Sequence, residues 1–170
     1  IRMQNLKNRS HIDYINYIKN LIDDAKYRFS EYAAENYSDI EILADIQHKG
    51  GASCLVDFSN NFLISLWFAT QTNKDDKDFG YLFCYDINVE MIEKDNLSML
   101  SHSKSKDTIE NLLYATTKST KYTEDKSYKF WLWKPSYLNE RIARQDSIFI
   151  FGLEPFANKD HGVLVKKVKL

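Results

Sequence analysis

The chain has 170 residues, 44% of them apolar and 14% aromatic, with only two prolines and five glycines, which reads as globular with no long linker and gives enough length for one domain with a real core. A formal net charge of -1 excludes any overall attraction to nucleic acid, so such affinity would have to come from a local patch. No apolar run approaches the roughly 18 residues that span a bilayer, no secretory leader pattern is visible, and Cys54 and Cys84 lie in apolar, strand-like runs as reduced buried thiols do, so the expectation is a cytoplasmic protein without membrane contact.

In chain order, Ile15, Ile18, Ile22, Ala25, Phe29 and Tyr32 recur at spacings of three and four behind Ser10, which predicts one long amphipathic helix capped by that serine. Ser38-Asp39-Ile40-Glu41 has the form of a capping box and opens a second helix that stops at Gly50-Gly51. That places Gln47 and His48 on its last turn. Ser53 to Phe58 reads as a short buried strand, and Asn60 or Asn61 caps a helix running through Thr70. Gln71 to Asp78 reads as a surface loop. Residues 80 to 87 form a strand covered on both faces, followed by a short helix from Val89 to Lys94 and a loop bearing Ser and Lys up to residue 106. A helix is expected over Asp107 to Lys118, an exposed polar stretch over Ser119 to Lys129, then the apolar run Phe130 to Trp133 stopped by Pro135, and a clear strand over Ser147 to Phe151. Val163 to Leu170 alternates weakly, as an edge strand does. Helices first and then strands mixed with helices make the class α+β, in a single domain over residues 1–170.

The stretch from Gln47 to Asp57 joins a helix, a tight turn and a strand with almost no spare residues, which brings Gln47, His48, Ser53 and Asp57 near one another. Each has a plain structural alternative. His48 at a helix C-terminus interacts favourably with the dipole when protonated. Asp57, following Leu55-Val56 in a buried strand, needs hydrogen-bond partners or caps the next helix. Glu140 and Arg144 have the spacing of a surface ion pair. Cys54 in an apolar strand is inert packing, and the lysines at 118, 121, 126, 129 and 134 read as a solvated face. No metal-ligand spacing, nucleophile elbow or phosphate-binding glycine loop occurs.

The sequence LADIQHKGGASCLVDFSNNFLISLWFA, followed by RIARQDSIFIF, resembles the FRG domain, a family named for an N-terminal Phe-Arg-Gly motif. The likeness covers residues 41 to 70 and 138 to 151. Ser53-Cys54 stands where the family carries Thr-Arg, Ala52 where it carries Pro, and Ile1-Arg2-Met3-Gln4 is a poor copy of the Phe-Arg-Gly motif. The chain starts without Met, so that motif either lies upstream or has decayed. The motif order of the family is similar in turn to that of ADP-ribosyltransferases, which implies an ADP-ribosyltransferase-like fold, with the helices on a small split or curved mixed sheet, and NAD as co-substrate. Cleaving the nicotinamide–ribose bond passes through an oxocarbenium-like state, which calls for a carboxylate or amide near the ribose and a dry pocket for nicotinamide.

Carried onto this chain, the resemblance implies Gln145, Glu140, His48 and Gln47 as catalytic candidates. It implies Arg2, Ser53, Asp57, Ser59, Arg141 and Arg144 as contacts to NAD, the arginines pairing with its pyrophosphate. Trp67, Phe68 or Tyr81 would line the nicotinamide pocket. Gln47, His48 and Gln145 are expected to share one concave site. The implied target is a nucleic acid or protein, the implied role that of a bacterial toxin or phage-defence effector, with an antitoxin or other partner protein. The competing expectation is a non-catalytic interaction module that keeps the framework with an eroded site.

Overall fold

Ser10 opens the first helix as its spacing predicts. In the computed structural model, which describes residues 10–70, 81–84, 97–116, 130–136, 140–153 and 166–169, the Ser10 hydroxyl accepts the Asp13 N–H at 3.2 Å and donates to the Asp13 carboxylate at 2.8 Å. Helix α1 (His11–Arg28) then buries Ile15, Ile18, Ile22 and Ala25. It ends before the predicted Tyr32. Phe29 is extended, with φ -122° and ψ 93°, and a separate turn, α2 (Glu31–Ala34), follows. The break lets Tyr32 leave the α1 stripe: its ring is buried and its hydroxyl donates to Asp45 at 2.8 Å, a contact on the next helix.

Helix α3 (Asp39–His48) begins at the expected capping box. The Ser38 hydroxyl and backbone N–H both donate to Glu41, at 2.7 and 2.8 Å. Burial works to raise the Glu41 carboxyl, but those two donors and the Lys106 ammonium at 3.1 Å outweigh it and hold it below its ordinary range. Asp39 reaches further, accepting Lys26 at 2.7 Å and the Ile109 N–H at 2.9 Å. Ile109 starts helix α5 (Ile109–Tyr114), N-capped by Thr108, so the start of α3 holds α1 and α5 together through satisfied polar groups.

Helix α4 (Phe62–Thr70) starts where the sequence places it, Asn61 accepting the Leu63 N–H at 3.0 Å. The main sheet contains β1 (Val56–Ser59), β3 (Leu97–Met99), β4 (Phe130–Trp133) and β5 (Ser147–Phe151), in the order β1-β5-β4-β3. Among the described strands of this sheet only the β3–β4 pair is parallel. A separate antiparallel pair joins β2 (Tyr81–Cys84) to β6 (Lys166–Lys169). Strands β4 and β5 are buried throughout, because side chains alternate between two covered faces. Trp131, Trp133, Phe149 and Phe151 pack with the helices, while Phe130, Leu132, Ile148 and Ile150 form a second cluster with Phe58. The Trp131 indole N–H donates to the Leu112 carbonyl at 2.7 Å and binds the sheet to α5. The architecture is α+β: N-terminal helices against a small mixed four-stranded sheet that does not close.

Two strand expectations change. The stretch Ser53 to Phe58 is not a buried strand: β1 begins at Val56 and is an edge, with Val56 38% exposed and Asp57 exposed beside it. The cost of burying a carboxylate therefore does not apply to Asp57. Strand β3 lies in a stretch that reads as loop, since its three residues acquire their conformation by pairing with β4. The predicted loop 71–78, strand residues 85–87, helix 89–94 and polar stretch 119–129 lie outside the described residues. Among the described residues no helix is long and apolar enough to cross a membrane.

Candidate functional site

The paired glycines have separate jobs. Gly50 adopts φ +88°, a left-handed conformation that costs an L-residue roughly 1–2 kcal/mol, and its N–H donates to the Gln47 carbonyl at 3.0 Å. The Gly51 N–H donates to the Ile46 carbonyl at 2.9 Å. Together these bonds complete a Schellman motif that ends α3 and satisfies its last carbonyls. A Cβ at Gly51 would stand 2.6 Å from the Ile46 Cγ2 and 3.0 Å from the Ile46 oxygen. Gly51→Ala is accordingly expected to destabilise the fold by about 1–3 kcal/mol, read from the denaturation midpoint; an unchanged midpoint would show that the turn opens freely.

The turn brings the chain back over the end of α3. There the Ser53 hydroxyl donates to the Gln47 side-chain oxygen Oε1, and the Ser53 oxygen accepts the Leu55 N–H at 3.1 Å. Gln47 and His48 are both half-buried on the last turn. Cys54, next to Ser53, is buried, and burial pushes its thiol up to about 12. It is no thiolate nucleophile near neutral pH.

A second polar cluster braces the same turn. Lys49, the residue after α3, binds Asp45 at 2.8 Å and Glu31 at 3.5 Å, with its ammonium 5.6 Å from the centre of the Tyr32 ring. Burial first, and then the Asp45 carboxylate, push the Tyr32 hydroxyl up to about 12 from the usual 10. Since the folded state holds this proton more tightly, its contribution to stability is complete below pH 10 and fades as pH rises towards 12. The Tyr32→Phe variant should therefore lose stability less steeply than the parent between those values, measured by urea titrations at stepped pH. Parallel curves would remove Tyr32 from the alkaline transition.

The far end of β1 meets the segment before β5. The Ser59 hydroxyl donates to the Gln145 backbone carbonyl at 2.5 Å and accepts the Asn61 N–H at 3.0 Å. The Asn60 N–H reaches the Asp146 carbonyl at 3.3 Å. Asp146 itself turns the chain from α6 (Glu140–Arg144) into β5 at φ +45°, and the Lys134 ammonium at 3.0 Å, with the Asn60 side chain, holds its carboxyl below the usual range. Gln145 is half-buried and Arg144 exposed.

Of the residues expected near one another, Gln47 and Ser53 are in direct contact; the contact of Ser59 with the Gln145 backbone is one the sequence did not suggest. The two contacts flank β1, and the six-residue step from Ser53 to Ser59 spans no more than roughly 20 Å of extended chain. Asp57 lies between them on the exposed edge, opposite Phe149. Trp67 and Phe68 meet edge to face at 4.9 Å and are 57% and 47% exposed, so they do not form a dry pocket among the described residues. Arg2 and the side chains of Glu140, Arg141 and Tyr81 lie outside the described residues. Sequence reasoning missed the Tyr32–Asp45–Lys49 brace, although Asp45 and Lys49 carry an i,i+4 signal, because Tyr32 fitted the α1 stripe. It also missed Asp146, for which a polar residue between a helix and a strand was the available clue.

The family model described as FRG domain matches residues 2–78 of the chain. No curated protein and no solved structure matches.

Proposed function

An FRG domain is present in this chain, and from that premise we propose that the protein is an ADP-ribosyltransferase-like enzyme that uses NAD to modify a nucleic acid or a protein inside a bacterial cell, as a toxin or phage-defence effector. The observation that carries this reading is the double anchoring of β1, with a Gln-bearing segment hydrogen-bonded at each end. A ligand touching both segments must be elongated, as a dinucleotide is. The donor set suits one: Gln47 supplies an amide, His48 a ring nitrogen, and the exposed Arg144 a guanidinium for a phosphate.

In the reaction the ribose C1′–nicotinamide bond breaks, its electron pair neutralises the pyridinium nitrogen, and a nucleophile of the target bonds C1′ while losing its proton. Gln145 and Glu140 are assigned to the ribose side, where positive charge develops. Arg141 and Arg144, with Arg2, are assigned to the pyrophosphate, and Asp57 to a ribose hydroxyl. The test is calorimetric titration with NAD together with an assay for released nicotinamide. Binding and release are expected.

Absence of binding would favour the second reading, a non-catalytic interaction module. One observation speaks for it: α4 has half-buried but no fully buried side chains, and Phe62, Leu63 and Trp67 stand at 57%, 69% and 57% exposure; such apolar surface is characteristic of contact sites.

A further inference from the structure

A serine has one proton to donate and two lone pairs to accept with. At Ser53 the proton goes to Gln47 Oε1, and the oxygen takes the Leu55 N–H at 3.1 Å. The hydroxyl is therefore engaged on both sides and has no proton left for a phosphate or a ribose. We infer that Ser53 is a positioning residue, which holds the Gln47 carboxamide with its oxygen turned inward and its NH2 presented to ligand, so that Gln47 serves as a hydrogen-bond donor to an acceptor oxygen. Gln47 is only half-buried, so the end of its carboxamide away from Ser53 can reach solvent. The Schellman turn adds rigidity, since the Gly50 N–H occupies the Gln47 backbone carbonyl at 3.0 Å. Backbone and side chain of this one glutamine are thus both held by the turn that follows it.

This assignment changes the chemistry expected of both residues. Ser53 does not touch the ligand. A carboxamide that presents N–H groups neither abstracts a proton nor stabilises a cation, so Gln47 binds an acceptor oxygen of the substrate and takes no proton-transfer role. The inference deepens the NAD reading and rests on it for the ligand, while the Ser53–Gln47 coupling can be read in the free protein.

The experiment has two arms. In the first, the Gln47 side-chain amide is followed by 15N relaxation and by proton exchange with water. The amide should be rigid but unprotected in the parent and in Ser53→Thr, and mobile in Ser53→Ala. A mobile amide in the parent, or Nε2 protons protected from exchange because they already have an acceptor, would overturn the inference whether or not NAD binds. In the second arm, Gln47→Glu keeps an acceptor for the Ser53 hydroxyl and loses the donor. It should weaken NAD binding about tenfold or more, the equivalent of one hydrogen bond, with an unchanged melting temperature. Repeating the titration with ADP-ribose separates the acceptors: an equal loss assigns Gln47 to the phosphates or ribose, and a loss with NAD alone assigns it to the nicotinamide carbonyl. Unchanged NAD affinity in Gln47→Glu would overturn the donor role. A parent protein that binds no NAD, with the first arm as expected, would sink the NAD reading and leave Ser53 as the residue that orients Gln47.

Discussion

Gln145→Ala is expected to lower nicotinamide release by about 10²-fold while leaving the melting temperature within a degree or two of the parent. The side chain of Gln145 is half-buried, whereas its fold contact is made by the backbone carbonyl that accepts the Ser59 hydroxyl at 2.5 Å. Truncation to alanine removes the amide and leaves that carbonyl in place. Activity and stability should therefore separate, which is the signature of a group that acts on the substrate. Glu140→Ala should behave in the same direction, as the second polar group assigned to the ribose side. Ser59→Ala should behave differently: it removes the bond between β1 and Gln145, so stability and release should fall together. If Gln145→Ala releases nicotinamide at the parental rate, the ribose-side assignment is wrong and the FRG-domain match over residues 2–78 is untouched.

Phe151→Ala should destabilise the fold by about 3–5 kcal/mol, read from urea denaturation. Phe151 is 1% exposed, ends the central strand β5 and stands opposite Trp131, which itself is hydrogen-bonded to α5. Removing the ring empties a space bounded by the sheet and the helices, neither of which can collapse without breaking strand pairing. The same strand begins at Ser147, directly after the Gln145-Asp146 turn, so the loss should also loosen the candidate site. A cost below about 1 kcal/mol would mean that the sheet repacks far more readily than a close-packed core allows.

Local chemistry is what the sequence determined by itself. The Ser38–Glu41 box, the Asn61 cap and the strand Ser147–Phe151 each depend on residues within a few positions of one another, so their signals survive in one dimension. The glycine pair belongs here too, since a left-handed turn and a close approach to Ile46 are demands that only glycine meets. The stretch around Gln47 and His48 that resembles the FRG domain was readable for the same reason, being a contiguous run.

Tertiary structure decided the rest. An apolar run such as Leu55-Val56 does not say whether its strand lies inside a sheet or at its edge. Pairing with β5 placed β1 at the edge and left Asp57 exposed. The end of α1 at Arg28 was set by Tyr32 finding Asp45 on another helix, a contact with no local trace. Strand β3 exists because β4 offers it a partner. The bond from Ser59 to Gln145 crosses 86 positions, a distance that no spacing rule reaches, because it depends on which strands become neighbours.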